Sequence, residues 1–179
     1  MASSFASYLL LLVLFTNIFY FQTSLCDKGE DGALIAGICR QVQDFTFCLN
    51  TFRQNLRTHP YIPKEVTRVA ISQSLEHAIN DRIFIEKSKE NSTHKEIQNL
   101  YAICDSGYGF LIILLQDATL ALAKKSYKDL ENSLSKCPRF VINCHDAFGD
   151  KITPELLDRS RKQLDLVLMA NIAEGRIQK

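Results

Sequence analysis

Two arms of apolar spacing run on either side of Lys124. Before it, Ile97, Cys104, Leu111 and Ala118 recur every seven residues, with Tyr101, Tyr108, Leu115 and Leu122 four further along each time. After it, Leu130, Leu134, Cys137, Val141, Cys144 and Phe148 follow at steps of four, three, four, three and four. Such steps keep side chains on one face of an α-helix, so each arm predicts a long amphipathic helix. Cys104 lies twenty residues before Lys124 and Cys144 twenty after it. Twenty helical residues rise about 30 Å, and a tight reversal at Lys124 brings the second thiol back level with the first. The pattern predicts a Cys104–Cys144 bridge between antiparallel helices. The alternative is two buried free thiols, since cysteine is among the most buried residue types.

Two more helices flank these arms. Ile71, Leu75, Ile79 and Ile83 repeat at i+4 with Val66, Ala78 and Ile85 alongside, predicting a helix from about Pro63 to Lys89. Pro63 suits the first turn of that helix, and His59-Pro60-Tyr61-Ile62-Pro63 reads as a linker before it. Thr93 followed by Glu96 fits a capping box at the start of the second helix. Lys124-Lys125 suits its C-terminal dipole, and Ser126 with Asp129 is a weaker N-cap signal for the third. Gly107 and Gly109 cost helix propensity; close packing against an N-terminal hairpin or a local kink would account for them. Pro138 is expected to bend or interrupt the third helix. Thr153 as N-cap, Pro154 and Glu155 open the last one, with Leu157, Leu164, Val167, Leu168 and Ile172 as its apolar face. Upstream, eight residues separate Cys39 from Cys48, a ring suited to holding a short helical hairpin. The fold class is therefore all-α: an up-and-down four-helix bundle preceded by an N-terminal helical hairpin, with two disulfides.

From Met1 to Cys26 there is no charged side chain, and Tyr8 to Phe21 is almost wholly apolar. That stretch is too short to span a bilayer comfortably. Ser24-Leu25-Cys26 supplies small residues where a signal peptidase reads, and charge begins at Asp27. Residues 1–26 read as a secretory signal, with an uncleaved anchor as the alternative. Residues 27–179 read as one domain, hairpin and linker over 27–62 and bundle over 63–179. Cleavage leaves Cys39, Cys48, Cys104, Cys137 and Cys144, enough for two bridges and one free thiol. Pairing Cys39 with Cys48 and Cys104 with Cys144 joins the sequence neighbours and the turn-symmetric pair, and leaves Cys137 as a buried, reduced and inert thiol. The net charge of +1 carries no basic excess that would point to nucleic acid or an anionic membrane.

Candidate chemistry is sparse. Cys144-His145-Asp146 has the residue types of a nucleophile, base and orienter, but adjacent helical residues point about 100° apart and cannot meet around one reacting atom. His59, His77, His94 and His145 are scattered, with no i+4 pair among them, and no two cysteines have the short zinc spacing. Gly107-Tyr-Gly109 lacks the third glycine and preceding strand of a nucleotide fingerprint. Arg159, Arg161 and Lys162 lie among Glu155, Asp158 and Asp165, the mixture of a solvated helix face. No catalytic residue, metal or cofactor is expected. Asn91-Ser92-Thr93 is an N-glycosylation sequon on an interhelix loop, making Asn91 a candidate glycan site.

Ile38-Cys39-Arg40 with Cys48-Leu49, Lys125-Ser126-Tyr127-Lys128-Asp129, and above all Cys144-His145-Asp146-Ala147-Phe148 resemble segments of the plant invertase and pectin methylesterase inhibitor family, the last matching a Cys-Xaa-Asp-Xaa-Phe pattern. The resemblance implies a four-helix bundle with an N-terminal hairpin, bridged first-to-second and third-to-fourth cysteine. It also implies a protein secreted to the apoplast and cell wall, not itself an enzyme, that covers the cleft of a carbohydrate-active enzyme. Invertase inhibitors of the family often carry Pro-Lys-Phe near the turn between the second and third bundle helices, where this chain has Lys125-Ser126-Tyr127-Lys128. That form is more usual in inhibitors of pectin methylesterase, which is the expected partner, with acid invertase as the alternative. Pro138-Arg139-Phe140 resembles the invertase motif in composition but lies too close to Cys144. The free protein is expected to be a monomer. A non-inhibitory helical carrier or wall protein is the reading from another class, and a continuous apolar tunnel would favour it.

Overall fold

The computed structural model describes residues 30–57 and 61–177; the 1–26 signal segment and His59-Pro60 of the linker lie outside the described residues. The chain divides into two units, Met1–Ala33, of which only the start of the first helix is described, and Leu34–Lys179, which carries everything below. Helices α1 (Glu30–Cys39) and α2 (Phe45–Asn55) form the N-terminal hairpin, α3 (Pro63–Asn91) and α4 (Lys95–Ala123) the first two bundle helices, α5 (Tyr127–Leu134) and α6 (Cys137–Phe148) the third in two pieces, and α7 (Pro154–Glu174) the fourth.

The hairpin is fixed at both of its levels. Cys39 is bridged to Cys48 with Cα atoms 5.5 Å apart, and Asp44 caps α2 by accepting from the Phe47 N–H at 2.8 Å. The chain just before that cap is held by α7: the two carboxylate oxygens of Asp165 accept from the Gln43 and Asp44 N–H groups, 2.9 Å each. Asp165 is only 4% exposed, so it belongs to this anchor and not to a solvated face. Arg159 also leaves the expected surface mixture, reaching inward to Asp81, while Lys162 and Asp158 do pair in solvent.

The α4 stripe is buried along its length, from Tyr101 through Cys104, Tyr108, Leu111, Leu115 and Ala118 to Leu122. It meets Leu130, Leu134, Cys137, Val141, Cys144 and Phe148, which are also buried. The Cys104–Cys144 bridge joins the two sides with Cα atoms 4.6 Å apart. Between them the chain reverses at Lys124–Ser126. Ser126 N–H donates to Ala121 O and Lys125 N–H to Leu122 O, a Schellman closure that puts Lys125 at φ +58°. Glycine usually occupies that left-handed position, and a lysine there costs about 1–2 kcal/mol.

Pro138 interrupts the third helix. Without an N–H it cannot bond to Leu134 O, and the carbonyl is taken instead by Asn171 Nδ2 of α7 at 3.2 Å. At the start of α4, by contrast, no capping box forms. The N-cap is His94, with no side-chain cap bond, and Glu96 pairs with Lys151 of the short 3-10 turn Gly149–Lys151. Helix α7 does begin as read, with Thr153 Oγ1 accepting from Leu156 N–H at 3.3 Å. Its core face is rotated from the expected one: Leu156, Ser160, Gln163, Val167, Ala170 and Glu174 are buried, while Leu157, Leu164, Leu168 and Ile172 are half-buried. On α3 the i+4 run fails likewise. Ile79 and Ile83 are exposed, and the buried line is Thr67, Ile71, Ser74, Ala78, Asp81 and Ile85.

Candidate functional site

Helix α4 is apolar on two opposite sides. Its core stripe is buried, yet Ile103, Phe110, Ile113 and Leu120 are each at least half exposed, at 50%, 59%, 53% and 56%. At 100° per residue those four fall within an arc of about 100° whose centre lies across the helix from the core stripe. The helix is long and apolar enough by composition to cross a membrane, and the surplus over what the core needs sits on this outer face. Large apolar side chains grouped on a folded surface mark an interaction site more often than scattered single ones do.

Both borders of the face are built by glycines that let a neighbour come close. Gly107 lies against α6, where a Cβ would meet the Phe140 carbonyl oxygen at 3.3 Å. Phe140 in turn stacks on Phe110 with ring centroids 5.7 Å apart, and the Arg139 guanidinium sits 4.7 Å from the Phe140 ring. On the other border Gly109 leaves room for the Arg82 guanidinium. Arg82 and Lys89 of α3 bond to the two oxygens of Asp105, at 2.8 and 3.4 Å. Burial alone would raise the Asp105 carboxyl, but the hydrogen bonds and charges of Arg82 and then Lys89 outweigh it and hold the group below its ordinary value. The glycines therefore serve contacts with α6 and α3. The atoms a Cβ would meet at either glycine belong to α6 and α3 and not to the hairpin, and α4 runs unbroken from Lys95 to Ala123.

The remaining candidate residues do not converge. Cys144 has its sulfur in the buried bridge, while His145 and Asp146 are exposed beside each other, Nδ1 to Oδ1 3.4 Å. Cys137 is a buried free thiol. It donates to the Ser133 carbonyl at 3.4 Å, and burial pushes its pKa up to about 12. Among the described residues no three His, Cys, Asp or Glu side chains group as metal ligands. Asn91 is exposed as the last residue of α3.

The model of the plant invertase/pectin methylesterase inhibitor family matches residues 33–173. The chain belongs to that family. Two solved structures share the fold, both from Arabidopsis: a mutant form A of a pectin methylesterase inhibitor, at TM-score 0.72 with 14% identity over 81% of this chain and 97% of that one, and a pectin methylesterase inhibitor at TM-score 0.65, 14% identity, 83% and 99% coverage. No curated protein sequence matches the chain.

In this member of the inhibitor family, the bundle interior behind the α4 face is polar on the side where α3 meets α7. Asp81 is fully buried, with Oδ1 3.3 Å from Arg159 Nη1 and Oδ2 3.0 Å from His77 Nδ1. His77 Nδ1 is also 3.0 Å from Gln163 Oε1, and Gln163 Nε2 donates to Ser74 Oγ at 2.9 Å and Ser74 O at 3.2 Å. Arg159 lies over the Phe84 ring at 4.4 Å and reaches Glu155 at the surface. The Tyr108 hydroxyl of α4 is buried near this carboxylate; desolvation first, then the Asp81 charge, raise its pKa far above the usual phenol range. The signal in the sequence was present but quiet: Ser74 and Asp81 continue a four-three heptad spacing that the neighbouring isoleucines obscure.

Proposed function

We propose that this protein inhibits pectin methylesterase by forming a non-covalent one-to-one complex through the outer face of α4. The observation that carries the proposal is the line Ile103, Phe110, Ile113 and Leu120, exposed on a helix whose opposite face is fully used by the core. Family membership supplies the kind of partner, and Lys125-Ser126-Tyr127-Lys128 at the end of the same helix favours pectin methylesterase over acid invertase. The scaffold suits a docking role. Two disulfides and a packed interior containing Tyr108, Leu111, Leu115 and the Tyr101–Phe148 ring pair lower the ordering cost of binding. The groove of about 420 Å³ beside Ile71, Leu75 and Leu122 is lined partly by Lys64, Glu65 and Arg68 at the surface, which is no tunnel for a carried ligand.

The test titrates the oxidised protein against pectin methylesterase and acid invertase in parallel. Loss of the first activity alone, complete at one equivalent, is the expected result. Ile113→Asp and Phe110→Asp should each weaken inhibition by about 2 kcal/mol, roughly 30-fold in Kd, with the helical circular dichroism unchanged. Loss of invertase activity alone would transfer the role to the other target, and loss of neither would overturn the inhibitor reading in favour of a carrier or wall protein.

A further inference from the structure

Helix α3 ends at Asn91, and the chain then runs extended through Ser92 (φ −77°, ψ 129°) to His94 (φ −94°, ψ 116°) before α4 begins. Asn91-Ser92-Thr93 is the sole Asn-Xaa-Ser/Thr sequence among the 179 residues. Asn91 and Thr93 are both exposed. The loop is held by other groups: Ser92 N–H donates to Lys89 O at 3.3 Å and Gln98 Nε2 to Ser92 O at 2.7 Å. The Asn91 amide takes part in none of the hydrogen bonds among the described residues, so a substituent on its nitrogen breaks no hydrogen bond among them.

We propose that Asn91 carries an N-linked oligosaccharide, added as the chain enters the secretory route. In that step Nδ2 attacks the anomeric carbon of a lipid-pyrophosphate-linked oligosaccharide. The carbon–oxygen bond to pyrophosphate breaks and the lipid pyrophosphate leaves with its electron pair. A carbon–nitrogen bond forms, and the amide gives up one proton to solvent or base. The Thr93 hydroxyl, two residues on, is the recognition element of the acceptor. Once the chain has folded, the sugar projects from the α3–α4 end of the bundle. Ile103 lies about 12 Å along α4 from Lys95 and Leu120 about 38 Å, at 1.5 Å per residue. The glycan thus flanks the near end of the exposed α4 face and leaves the far end, by the Lys124–Ser126 turn, open.

The full chain, secreted from a cultured human cell line by its own leader, tests this by mass and gel mobility. Wild type should run above the polypeptide position with one occupied site, and an amidase cleaving N-glycans should shift all of its glycoforms to the polypeptide position, leaving aspartate at position 91 in the peptide spectrum. N91Q and T93A should run at that position untreated, and T93S should keep the glycan. T93A leaves the asparagine in place and guards against a misfolded N91Q. Secreted wild type that is unchanged by the amidase, wild type retained inside the cell without sugar, or a glycan that persists in N91Q would each overturn the proposal.

Discussion

Arg159 and Asp81 provide a quantitative test of the polar layer between α3 and α7. At 3.3 Å and an effective dielectric of about 20, two unit charges attract by about 5 kcal/mol before desolvation is charged against them. Asp81 is fully buried, whereas the Arg159 side chain is 32% exposed and also bonded to Glu155. Removing the arginine therefore strands a buried carboxylate, which costs about 3–5 kcal/mol. The Glu155 pair in solvent adds at most about 1 kcal/mol, and the Phe84 ring contact about the same. Against a total stability of about 5–15 kcal/mol, Arg159→Met should be severely destabilised. Asp81→Asn removes the charge while keeping shape and should cost about 1–3 kcal/mol. The double variant decides the matter, because the Glu155 and Phe84 losses cancel in the cycle. Urea unfolding of all four proteins at pH 7, followed by circular dichroism, should give a double-variant loss smaller than the sum of the singles by at least about 1.5 kcal/mol. Losses that add to within about 0.5 kcal/mol would refute a coupled pair and reduce Arg159 to a surface side chain.

The two bridges should differ with the logarithm of the lengths of the rings they close. By loop entropy the Cys104–Cys144 ring, 40 residues apart, is worth about 4 kcal/mol and the Cys39–Cys48 ring, 9 apart, about 2.6 kcal/mol; urea melts of the two double-alanine variants measure this, and equal losses would argue against it. Cys137 should resist a thiol reagent in the native protein at pH 8 and react with one equivalent in denaturant, whereas fast native labelling would place the thiol at the surface. Asp105 is held below its ordinary value of 3.8, so the folded state binds its proton less readily than the unfolded chain. Its stabilisation is present above that value and lost as pH falls through the lower folded one. Asp105→Asn should flatten the acid limb of the stability curve below about pH 4, and an unchanged limb would exclude the Arg82–Asp105–Lys89 cluster as a contributor.

How far the fold was legible depended on which helices had apolar stripes unmixed with polar residues. The α4 and α5–α6 stripes hold almost only apolar and sulfur side chains, so their four-three spacing, the turn at Lys124 and the facing cysteines could all be read. On α3 a run of Ile71, Leu75, Ile79 and Ile83 looks more regular than the true stripe. Steps of four residues advance 400°, however, and drift about 40° each time. By Ile83 the run has left the core and faces solvent. The side chains that stay inside are Thr67, Ile71, Ser74, Ala78, Asp81 and Ile85, and two of them look like surface residues until Gln163 and Arg159 are seen opposite. Asp165 was misread for a related reason, since its partners are backbone N–H groups more than 120 residues away. Periodicity reports which face is apolar; it cannot report a buried polar group whose partner lies on another helix.

The same limit explains why the α4 outer face was missing from the sequence reading. Ile103, Phe110, Ile113 and Leu120 interleave with the core stripe, and the whole helix reads as strongly apolar, with nothing to say which residues the bundle consumes. Only the placement of α3 and α6 on either side, each brought close at a glycine, settles which of them remain outside. Burying Phe110 and Ile113 against a partner would favour binding by about 25 cal/mol for each square ångström of apolar surface taken out of water. Left exposed, their outer surface contributes nothing to the bundle beyond the Phe110–Phe140 ring contact. If the face served no partner, Ile103, Ile113 and Leu120 could be changed together to polar residues, with stability held within about 0.5 kcal/mol per site and inhibition untouched. Stability held with inhibition lost is the outcome that assigns those three side chains to a partner.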